Sequence, residues 1–290
     1  MSIKNYTELR NRELLMFKDQ VIWITGASSG IGEALALEFA KRGAKLILSS
    51  RNEDSLLAVA QKCEAISHDT DASYVLPMDV TDEHGLPAKV EQAKNYAGKI
   101  DFLINNAGIS QRSSFLTTDM PTYRKLFEVD VFGPIALTKL VVPIMLQQGS
   151  GHVAITASVA GKIGVPFRTG YCAAKHAVMG FFDALRSELA HQNIQVTTIT
   201  PGYIHTNISA NAVLGDGSAL GKTDGAIAGG MSAGECARVV INGLQTGKPE
   251  IAVGKGMEMH TLWLKRLFPK ALFKLMHGQF KKIQKAEGFK

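Results

Sequence analysis

A short apolar run followed at once by glycines constrains this chain more than any other feature of its sequence. Val21–Thr25 is apolar and β-branched, the loop Thr25-Gly26-Ala27-Ser28-Ser29-Gly30-Ile31-Gly32 follows, and a helical spacing of apolar residues begins at Glu33. Such glycines let the backbone turn sharply and approach a pyrophosphate, and the helix start offers free N–H groups. The spacing is not the GxGxxG form, so the glycines alone are weak evidence. The strand before them and the helix after them favour a dinucleotide site over a structural turn.

The alternation of strand and helix that begins there continues as far as Ile199. Segments of helical length separate further apolar runs at Lys45–Ser49, 74–78, 102–104, 153–156 and 196–199. Strands that alternate with helices are typical of βαβ units, in which helices cover both faces of a parallel sheet. We therefore expect an α/β fold and one domain over residues 1–290, with its core at about 18–255.

The regular pattern fades after Pro201. Residues 211–234 are dense in Gly, Ser and Ala and show no strong period. A loop of this length in a compact domain is usually a functional lid or a disordered segment. Because it follows the last clear βα unit, we expect residues 203–234 to cover a substrate and residues 256–290 to form a C-terminal extension.

Composition limits the setting in which the chain works. Hydrophobic residues make up 46% and charged residues 20%, as in a globular protein with a sizeable core. The three cysteines lie far apart, so we expect reduced packing thiols and no metal site. No stretch approaches roughly 18 consecutive apolar residues, and residues 1–20 lack the pattern of a secretory signal. These features predict a cytoplasmic protein without a signal peptide or a transmembrane helix.

Positive charge is concentrated at the C-terminal end. Residues 255–290 hold nine Lys and Arg against Glu258 and Glu287, whereas the rest of the chain has 23 basic and 24 acidic residues. Within 260–285 the cations alternate with large apolar residues, and Pro269 predicts a break into two short helices. Such a segment can pack on its own domain or on a second subunit, or it can lie on the surface of an anionic membrane, and the sequence leaves these readings open. No nucleic-acid-binding motif accompanies the charge, so we expect no nucleic acid partner.

Three polar residues downstream form a second cluster of interest. Tyr171 and Lys175 are four residues apart and would share one face of a helix. A phenol is a poor base at neutral pH, but a neighbouring ammonium favours the phenolate and allows acid/base work. Ser158 follows the run at 153–156, at the sheet edge where ligands bind, and could hold a substrate oxygen. The Tyr-x3-Lys spacing alone usually marks a helix surface, and only its combination with the serine and the glycine loop indicates catalysis.

The second strand ends without the acidic residue that an NAD-selective site places there. The sequence at this point reads Ser49-Ser50-Arg51-Asn52. An Asp or Glu would bind the ribose 2′-hydroxyl of NAD, whereas an arginine binds a 2′-phosphate through its fork of donors. We therefore expect NADP(H) to be preferred over NAD(H), and an ordinary surface arginine is the alternative.

Six motifs occur in order along the chain and carry a family resemblance. They are TGASSGIG (25–32), MDV (78–80), NNAG (105–108), Ser158, YCAAK (171–175) and PGYIHT (201–206). Across about residues 18–255 the chain resembles the main branch of the short-chain dehydrogenase/reductases. The segments FRTGYCAAKHA (167–177), PGYIHTNIS (201–209) and GDGSALG (215–221) look more narrowly like the dehydrogenase/reductase member 7 group.

The resemblance implies a doubly wound Rossmann-type sheet of about seven strands, a homodimer or homotetramer, and a set of cofactor contacts. Asn105 would contact the ribose region, and Lys175 would bind the nicotinamide ribose. Ile204 and Thr206 would fix the nicotinamide carboxamide. The implied cofactor-binding residues are Gly26, Ser28, Ser29, Gly30, Ile31, Gly32, Ser50, Arg51, Asp79, Val80, Asn105, Ala107, Gly108, Tyr171, Lys175, Pro201, Gly202, Ile204 and Thr206.

One position departs from the family pattern. The fourth catalytic residue of the family is an asparagine 28 residues before the serine, and Asp130 stands at that place here. Aspartate can serve if the role belongs to a main-chain carbonyl that holds a proton-relaying water. It cannot serve if the side chain must donate hydrogen bonds, because an ionised carboxylate only accepts them. A negative charge near Lys175 could also hold that lysine charged.

These observations predict an NADP(H)-dependent oxidoreductase that interconverts a carbonyl and a primary or secondary alcohol. Its catalytic set would be Ser158, Tyr171, Lys175 and Asp130. Apolar residues around the 203–234 loop and the tail suggest an apolar substrate, such as a steroid, retinoid or lipid ketone. A catalytically impaired NADP(H)-binding sensor or scaffold is the alternative, because Asp130 replaces the family asparagine. Both hypotheses predict cofactor binding, but only the first predicts turnover.

Overall fold

The computed structural model describes residues 17–222 and 225–287 of the chain, so most of the segment 1–20 considered above lies outside the described residues. The strands are β1 (Val21–Thr25), β2 (Lys45–Ser49), β3 (Ser73–Val75), β4 (Phe102–Asn105), β5 (Gly151–Thr156), β6 (Ile194–Pro201), β7 (Ile204–His205), β8 (Met231–Ser232) and β9 (Glu250–Val253). The helices are α1 (Gly30–Ala40), α2 (Glu53–Ser67), α3 (Leu86–Ala97), α4 (Met120–Phe127), α5 (Gly133–Gln148), α6 (Thr169–Leu189), α7 (Gly225–Ala228), α8 (Ala233–Gln245), α9 (His260–Leu267) and α10 (Pro269–Glu287).

Seven of the strands form one parallel sheet. Their order is β3-β2-β1-β4-β5-β6-β9, and every neighbouring pair is parallel. Along the chain, β2 and β3 are added to one side of β1, and β4, β5, β6 and β9 are added to its other side. Ligands of open α/β sheets bind where the strand order reverses in this way, beyond the carboxyl ends of the strands. The predicted fold class, a doubly wound α/β sheet of about seven strands, is confirmed.

Two apolar layers cover the sheet, one on each face. Side chains alternate along β1, so that Ile22 belongs to one layer and Trp23 to the other. Leu35 of α1 packs in the first layer with residues of α2 and α8. Leu137 of α5 and Val178 of α6 pack in the second layer with residues of α3. Burial on both faces explains why the sequence runs are continuously apolar rather than alternating.

The 203–234 loop has local structure, although its sequence shows no period. Its strands β7 and β8 pair with each other, and the N–H of Val213 donates to the carbonyl of Ser110 at 2.8 Å. The N–H of Arg112 donates to the carbonyl of Val213 at 2.9 Å. The loop is therefore tied by backbone hydrogen bonds to the segment that follows β4. Residues 223–224 of this loop lie outside the described residues.

One helical segment qualifies the prediction that the chain has no membrane-spanning helix. The residues Met120–Gln148, which comprise α4, a π-helical turn (Glu128–Phe132) and α5, form 29 helical residues that are long and apolar enough to cross a membrane. Half of the most apolar 18-residue stretch of this segment is buried inside the fold. Leu137, Val141 and Met145 of this segment belong to the apolar layer on the sheet. The core helix of a globular domain has the same length, composition and burial, so this match is weak evidence for a membrane span.

The C-terminal segment packs partly on the rest of the chain. The second tail helix, α10, begins at Pro269, which confirms the predicted break, but it has 19 residues and is not short. Leu272 of α10 is buried in a cluster with Val159 and Ile163. The ring of Phe280 stacks on that of Phe167 with a centroid distance of 5.2 Å. These contacts attach the tail beside the carboxyl end of the sheet.

Candidate active site

The glycine loop lies between β1 and α1 at the carboxyl edge of the sheet. Gly26 and Gly30 adopt φ angles of 65° and 62°, a left-handed conformation that glycine accepts without strain. A Cβ atom at Gly32 would lie 2.2 Å from the carbonyl oxygen of Gly26, so only glycine fits there. Ser29 precedes α1 and makes no side-chain cap to it. The first N–H groups of α1 are thus free of a local cap at a backbone surface that can approach a phosphate.

Hydrogen bonds from the NNAG motif hold this loop in place. The side-chain amide of Asn106 donates to the carbonyls of Thr25 and Gly26 at 3.1 and 3.3 Å. The Thr25 hydroxyl accepts the N–H groups of Asn106 and Ala107, each at 3.0 Å. Asn106, Ala107 and Gly108 then line a cavity of about 220 Å³ together with Gly26, Gly30 and Ile31.

Ser158, Tyr171 and Lys175 line the same cavity, which we call the cleft. The ammonium of Lys175 donates to the carbonyl of Thr156 at 3.1 Å and lies 5.7 Å from the centroid of the Tyr171 ring. Both side chains are buried. The Ser158 hydroxyl accepts the N–H of Ala160 at 3.1 Å. The cleft therefore presents a phenol, an ammonium and a hydroxyl beside the glycine loop.

Gln111, which sequence reasoning missed, holds the start of α6 in place. Its side-chain oxygen accepts the N–H groups of Gly170 and Tyr171 at 2.7 and 3.2 Å. Its amide nitrogen donates to the hydroxyls of Ser113 and Thr118, each at 3.1 Å. Gln111 is completely buried, so it fixes the backbone of the helix that carries the phenol. No local pattern indicates this role, because its partners at α6 are about 60 residues away in the chain.

Asp130 lies in the π-helical turn between α4 and α5 and reaches the lysine of the cleft. Its Oδ1 atom accepts the N–H of Ile109 at 2.8 Å, and its Oδ2 atom is 3.8 Å from the Nζ of Lys175. Burial raises the pKa of Asp130 to about 6, although the Lys175 charge and the Ile109 N–H act in the opposite direction. The Oδ2 atom has no hydrogen-bond partner among the residues that the structure describes.

The residues expected near a 2′-phosphate and an adenine lie at the ends of β2 and β3. Arg51 is exposed one residue beyond Ser50, and the N–H of Met78 donates to the carbonyl of Ser50 at 2.9 Å. This bond places the MDV motif, with Asp79 and Val80, beside Ser50 and Arg51. The Asp79 carboxylate accepts the N–H and hydroxyl of Thr81 at 2.9 and 2.8 Å. The four expected residues are brought together here, outside the walls of the cleft.

The PGYIHT motif closes the opposite wall of the cleft. Pro201, Gly202, Ile204 and Thr206 all line it. A Cβ atom at Gly30 would lie 3.2 Å from the Cγ2 of Thr206, so Thr206 sits against the glycine loop. The motif thus spans the distance from the end of β6 to the start of α1.

The side chain of Asn105, the residue expected to contact a ribose, is not among those that line the cleft. Its side-chain amide donates to the hydroxyl of Thr138 in α5 at 3.0 Å, and the residue is buried. Because successive side chains of a strand point to opposite sides, the last residue of β4 faces the α5 layer. The neighbouring Asn106 is the asparagine of this motif whose side chain lies at the cleft.

A second and larger cavity adjoins the cleft. It has a volume of about 870 Å³ and lies between the tail helices and the 229–231 segment; we call it the tail cavity. Its walls include the apolar side chains of Met231, Leu264 and Met276. Both cavities share four lining residues, Ile163, Val165, Tyr203 and Glu258. An apolar space therefore borders the cleft that holds Tyr171.

Sequence comparison connects this geometry with known proteins. The family model described as short chain dehydrogenase matches residues 20–216. Dehydrogenase/reductase SDR family member 7B of Mus musculus is 37% identical over 279 residues, which cover 96% of this chain and 86% of that protein.

Solved structures give the same fold. A short chain dehydrogenase/reductase from Burkholderia phymatum in complex with NAD superposes with a TM-score of 0.78 at 24% identity, covering 88% of this chain and 96% of that one. A metagenomic short-chain oxidoreductase in complex with NADP gives a TM-score of 0.67 at 24% identity, covering 82% and 97%. The neighbours thus include complexes of both dinucleotides.

Proposed function

This chain belongs to the short-chain dehydrogenase/reductase family and is an oxidoreductase, and from that premise we propose that it interconverts a carbonyl and an alcohol with NADP(H), using Tyr171 as its acid/base. The observation that carries the proposal is the cleft itself. Ser158, Tyr171 and Lys175 line one cavity together with the glycine loop. An acid/base group, a charge beside it and a dinucleotide cradle are thus within one small space.

The backbone at the glycine loop fits a dinucleotide. Only a residue without Cβ is tolerated at Gly32, and the start of α1 offers uncapped N–H groups to a pyrophosphate. Ser28, Ser29 and Ile31 complete this phosphate-binding turn in the proposal. Thr206, Ile204 and Lys175 would hold the nicotinamide end, and Asp79 and Val80 the adenine. When bound, NADP(H) supplies or accepts the hydride of the reaction.

The protein's own residues manage the proton and the substrate oxygen. In the direction of reduction, the Ser158 hydroxyl holds the carbonyl oxygen and the Tyr171 hydroxyl donates a proton to it. In oxidation, the Tyr171 phenolate takes the proton of the alcohol. Lys175 stabilises that phenolate through its charge, and its bond to the Thr156 carbonyl keeps the ammonium near the ring.

The preference for NADP(H) over NAD(H) rests on Arg51. This guanidinium is exposed beside Ser50, at the strand end where an NAD-selective site carries a carboxylate. An arginine pairs with a 2′-phosphate, and NAD(H) has no such group.

The tail cavity supports an apolar substrate. Its volume of about 870 Å³ is within the range of small-molecule sites, and it shares four wall residues with the cleft. A steroid, retinoid or lipid ketone could place its carbonyl between Ser158 and Tyr171 and its apolar body in the tail cavity.

The alternative is an NADP(H)-binding sensor or scaffold that Asp130 has disabled as an enzyme. The position of Asp130 favours the active enzyme, because its Oδ1 atom accepts the Ile109 N–H as an asparagine oxygen would. The opposing observation is the buried Oδ2 atom without a hydrogen-bond partner among the described residues.

The decisive experiment measures NADPH oxidation with a panel of ketones and aldehydes of increasing apolar size. The wild-type chain is compared with Tyr171→Phe, which keeps the ring and removes the proton. Turnover by the wild type that is lost in Tyr171→Phe, while this variant still binds NADPH, supports the proposal. NADPH binding without turnover that Asp130→Asn restores would establish the sensor or scaffold instead.

Members of this family are commonly oligomeric, and we propose a homodimer or homotetramer here. The exposed apolar side chains of Phe115, Leu116, Met120 and Phe132 near α4 support such an interface. Light scattering during size-exclusion chromatography measures the mass directly, and a monomer at micromolar concentration would contradict this part of the proposal.

A further inference from the structure

The first tail helix carries an exposed apolar surface. Trp263 and Leu267 are four residues apart on α9 and therefore share one face, and Phe268 follows the helix directly. Their exposed fractions are 69%, 61% and 64%. Three large apolar side chains exposed side by side are uncommon on a protein surface and usually mark an interaction site.

The second tail helix presents a row of lysines. Lys270, Lys274, Lys281 and Lys285 are exposed, and their spacing of four, seven and four residues puts them on one face of α10. The opposite face includes Leu272, which is buried against the core. The lysine row therefore points away from the body of the protein. Phe268 and Lys270 are two residues apart, so the row begins where the apolar surface of α9 ends. We call these three apolar side chains and the four lysines together the tail face.

We propose that the tail face docks on an anionic lipid bilayer. Trp263, Leu267 and Phe268 enter the interfacial region, where aromatic and aliphatic side chains are favoured. The lysine row lies among the headgroup phosphates, where each cation adds to binding. The body of the chain, with 23 basic and 24 acidic residues outside 255–290, contributes no comparable attraction.

The charge of the tail distinguishes a bilayer from a second copy of the chain. In a two-fold symmetric dimer the same surface patch faces itself. Two segments with nine basic and two acidic residues each would then meet, and like charges brought together at an interface oppose association. An anionic lipid surface offers the complementary charge and an apolar interior beneath it.

Docking would also orient the tail cavity. Trp263, Leu267 and Phe268 line that cavity as well as being exposed, so its rim would face the bilayer. An apolar molecule would then leave the membrane into a cavity that shares wall residues with the cleft. This consequence rests on the proposed function, whereas the docking itself does not.

The chain carries its own reporter for docking. It has two tryptophans: Trp23 is completely buried in β1, and Trp263 is the exposed one on the tail face. A shift of tryptophan emission to shorter wavelength on contact with lipid therefore reports Trp263. The experiment titrates the full chain with vesicles of phosphatidylcholine alone and of phosphatidylcholine mixed with phosphatidylserine, at low and high salt, and measures co-sedimentation in parallel.

Three variants complete the experiment. The first changes Lys270, Lys274, Lys281 and Lys285 to glutamine and is expected to weaken binding to the mixed vesicles on the order of ten-fold or more. The matched control changes four exposed lysines of the body, Lys18, Lys41, Lys45 and Lys248, to glutamine and should bind like the wild type. Trp263→Phe should bind but lose the spectral shift.

The outcomes separate the possible partners. Binding that requires phosphatidylserine, falls with salt and is lost only in the tail variant supports the proposal. Equal binding by both lysine variants, or no binding to either vesicle, overturns it. A shift of tryptophan emission that grows with protein concentration in the absence of lipid would overturn the proposal and indicate that a second copy of the chain covers the tail face.

Discussion

The Oδ2 atom of Asp130 lies 3.8 Å from the Nζ atom of Lys175, and both side chains are almost completely buried. Burial raises the pKa of Asp130 to about 6, and the attraction of Lys175 and the N–H of Ile109 offset only part of this effect. The anionic form of the carboxyl is thus less stable in the folded chain than in water. At neutral pH the ionised aspartate therefore lowers the free energy of unfolding of the protein, although it faces a cation.

Asp130→Asn should therefore stabilise the protein near neutral pH. The pKa of this carboxyl is 3.8 in the unfolded chain, the ordinary value for aspartate, and about 6 in the folded chain, so wild-type stability falls as pH rises through that window. We expect the variant to gain on the order of 2 kcal/mol above the window and nothing below it. Urea unfolding at several pH values measures the difference. The exposed Asp183→Asn serves as the control, and equal stability of wild type and Asp130→Asn above pH 6 would contradict the prediction.

The same pair predicts a change in the pH dependence of catalysis. In the proposed mechanism Lys175 stabilises the Tyr171 phenolate by its charge, and an ionised Asp130 offsets part of that charge. When Asp130 takes up a proton, Lys175 acts on the phenolate unopposed. We expect the ratio of alcohol oxidation rates, Asp130→Asn over wild type, to rise above one as pH increases through about 6. Initial rates of NADP⁺ reduction across this range measure the ratio, and a ratio that does not change with pH would show that the carboxylate charge is not felt at Tyr171.

The sheet could be predicted because its strands share one local signal, a short apolar run in the sequence. The runs at Val21–Thr25 and Lys45–Ser49 are apolar on both faces, and both faces are buried, so the strands appear where the sequence places them. The glycine loop could also be predicted from local sequence, since Gly26 and Gly30 have the positive φ angles that glycines in a sharp turn indicate. The tail break at Pro269 follows from proline chemistry alone.

The rest of the site depends on contacts between distant segments. Whether the side chain of Asn105 or of Asn106 faces the cleft depends on which residue ends β4. A shift of the strand by one residue would turn each side chain to the other face of the sheet. The hydrogen bonds of Gln111 to α6 join residues about 60 apart, for which the sequence has no local pattern. Attachment of α10 through Leu272 and Phe280 likewise depends on the packed surface that receives them.

Gln111 gives a test of how firmly α6, the helix that carries Tyr171, must be held. Gln111→Leu keeps the buried volume and leaves the N–H groups of Gly170 and Tyr171 without their acceptor. We expect kcat to fall about ten-fold or more, since a lost buried hydrogen bond costs roughly 1–3 kcal/mol, while the Kd of NADPH stays nearly constant. Steady-state rates and fluorescence titration measure the two quantities. Thr118→Val removes a hydrogen bond from the other end of Gln111 and should affect kcat much less; an equal loss would indicate a general loosening of the fold.

His152 predicts a loss of stability in acid. Its ring is buried, Nε2 lies 2.8 Å from the Thr197 hydroxyl, and burial lowers the pKa from the ordinary histidine value of 6.5 to about 4. The unfolded chain binds this proton first, so the stability present above pH 6.5 is lost as pH falls toward 4, by up to about 3 kcal/mol. His152→Gln should flatten this part of the stability curve, and the exposed His191→Gln should leave it unchanged. Thermal denaturation over this range measures the slopes, and parallel curves for wild type and His152→Gln would refute the assignment.

The proposed preference for NADP(H) can be tested at Arg51. The guanidinium is exposed, and a bond between the Met78 N–H and the Ser50 carbonyl fixes the adjacent backbone. We expect Arg51→Ala to weaken NADPH binding by about ten- to one-hundred-fold, because a charge-assisted pair with the 2′-phosphate is lost. NADH lacks that phosphate, so its affinity should not change, and fluorescence titration with both dinucleotides measures the contrast. Arg124→Ala, an exposed arginine on α4, controls for net charge. Equal losses for NADPH and NADH would place Arg51 in a structural role, because only contact with the 2′-phosphate separates the two cofactors.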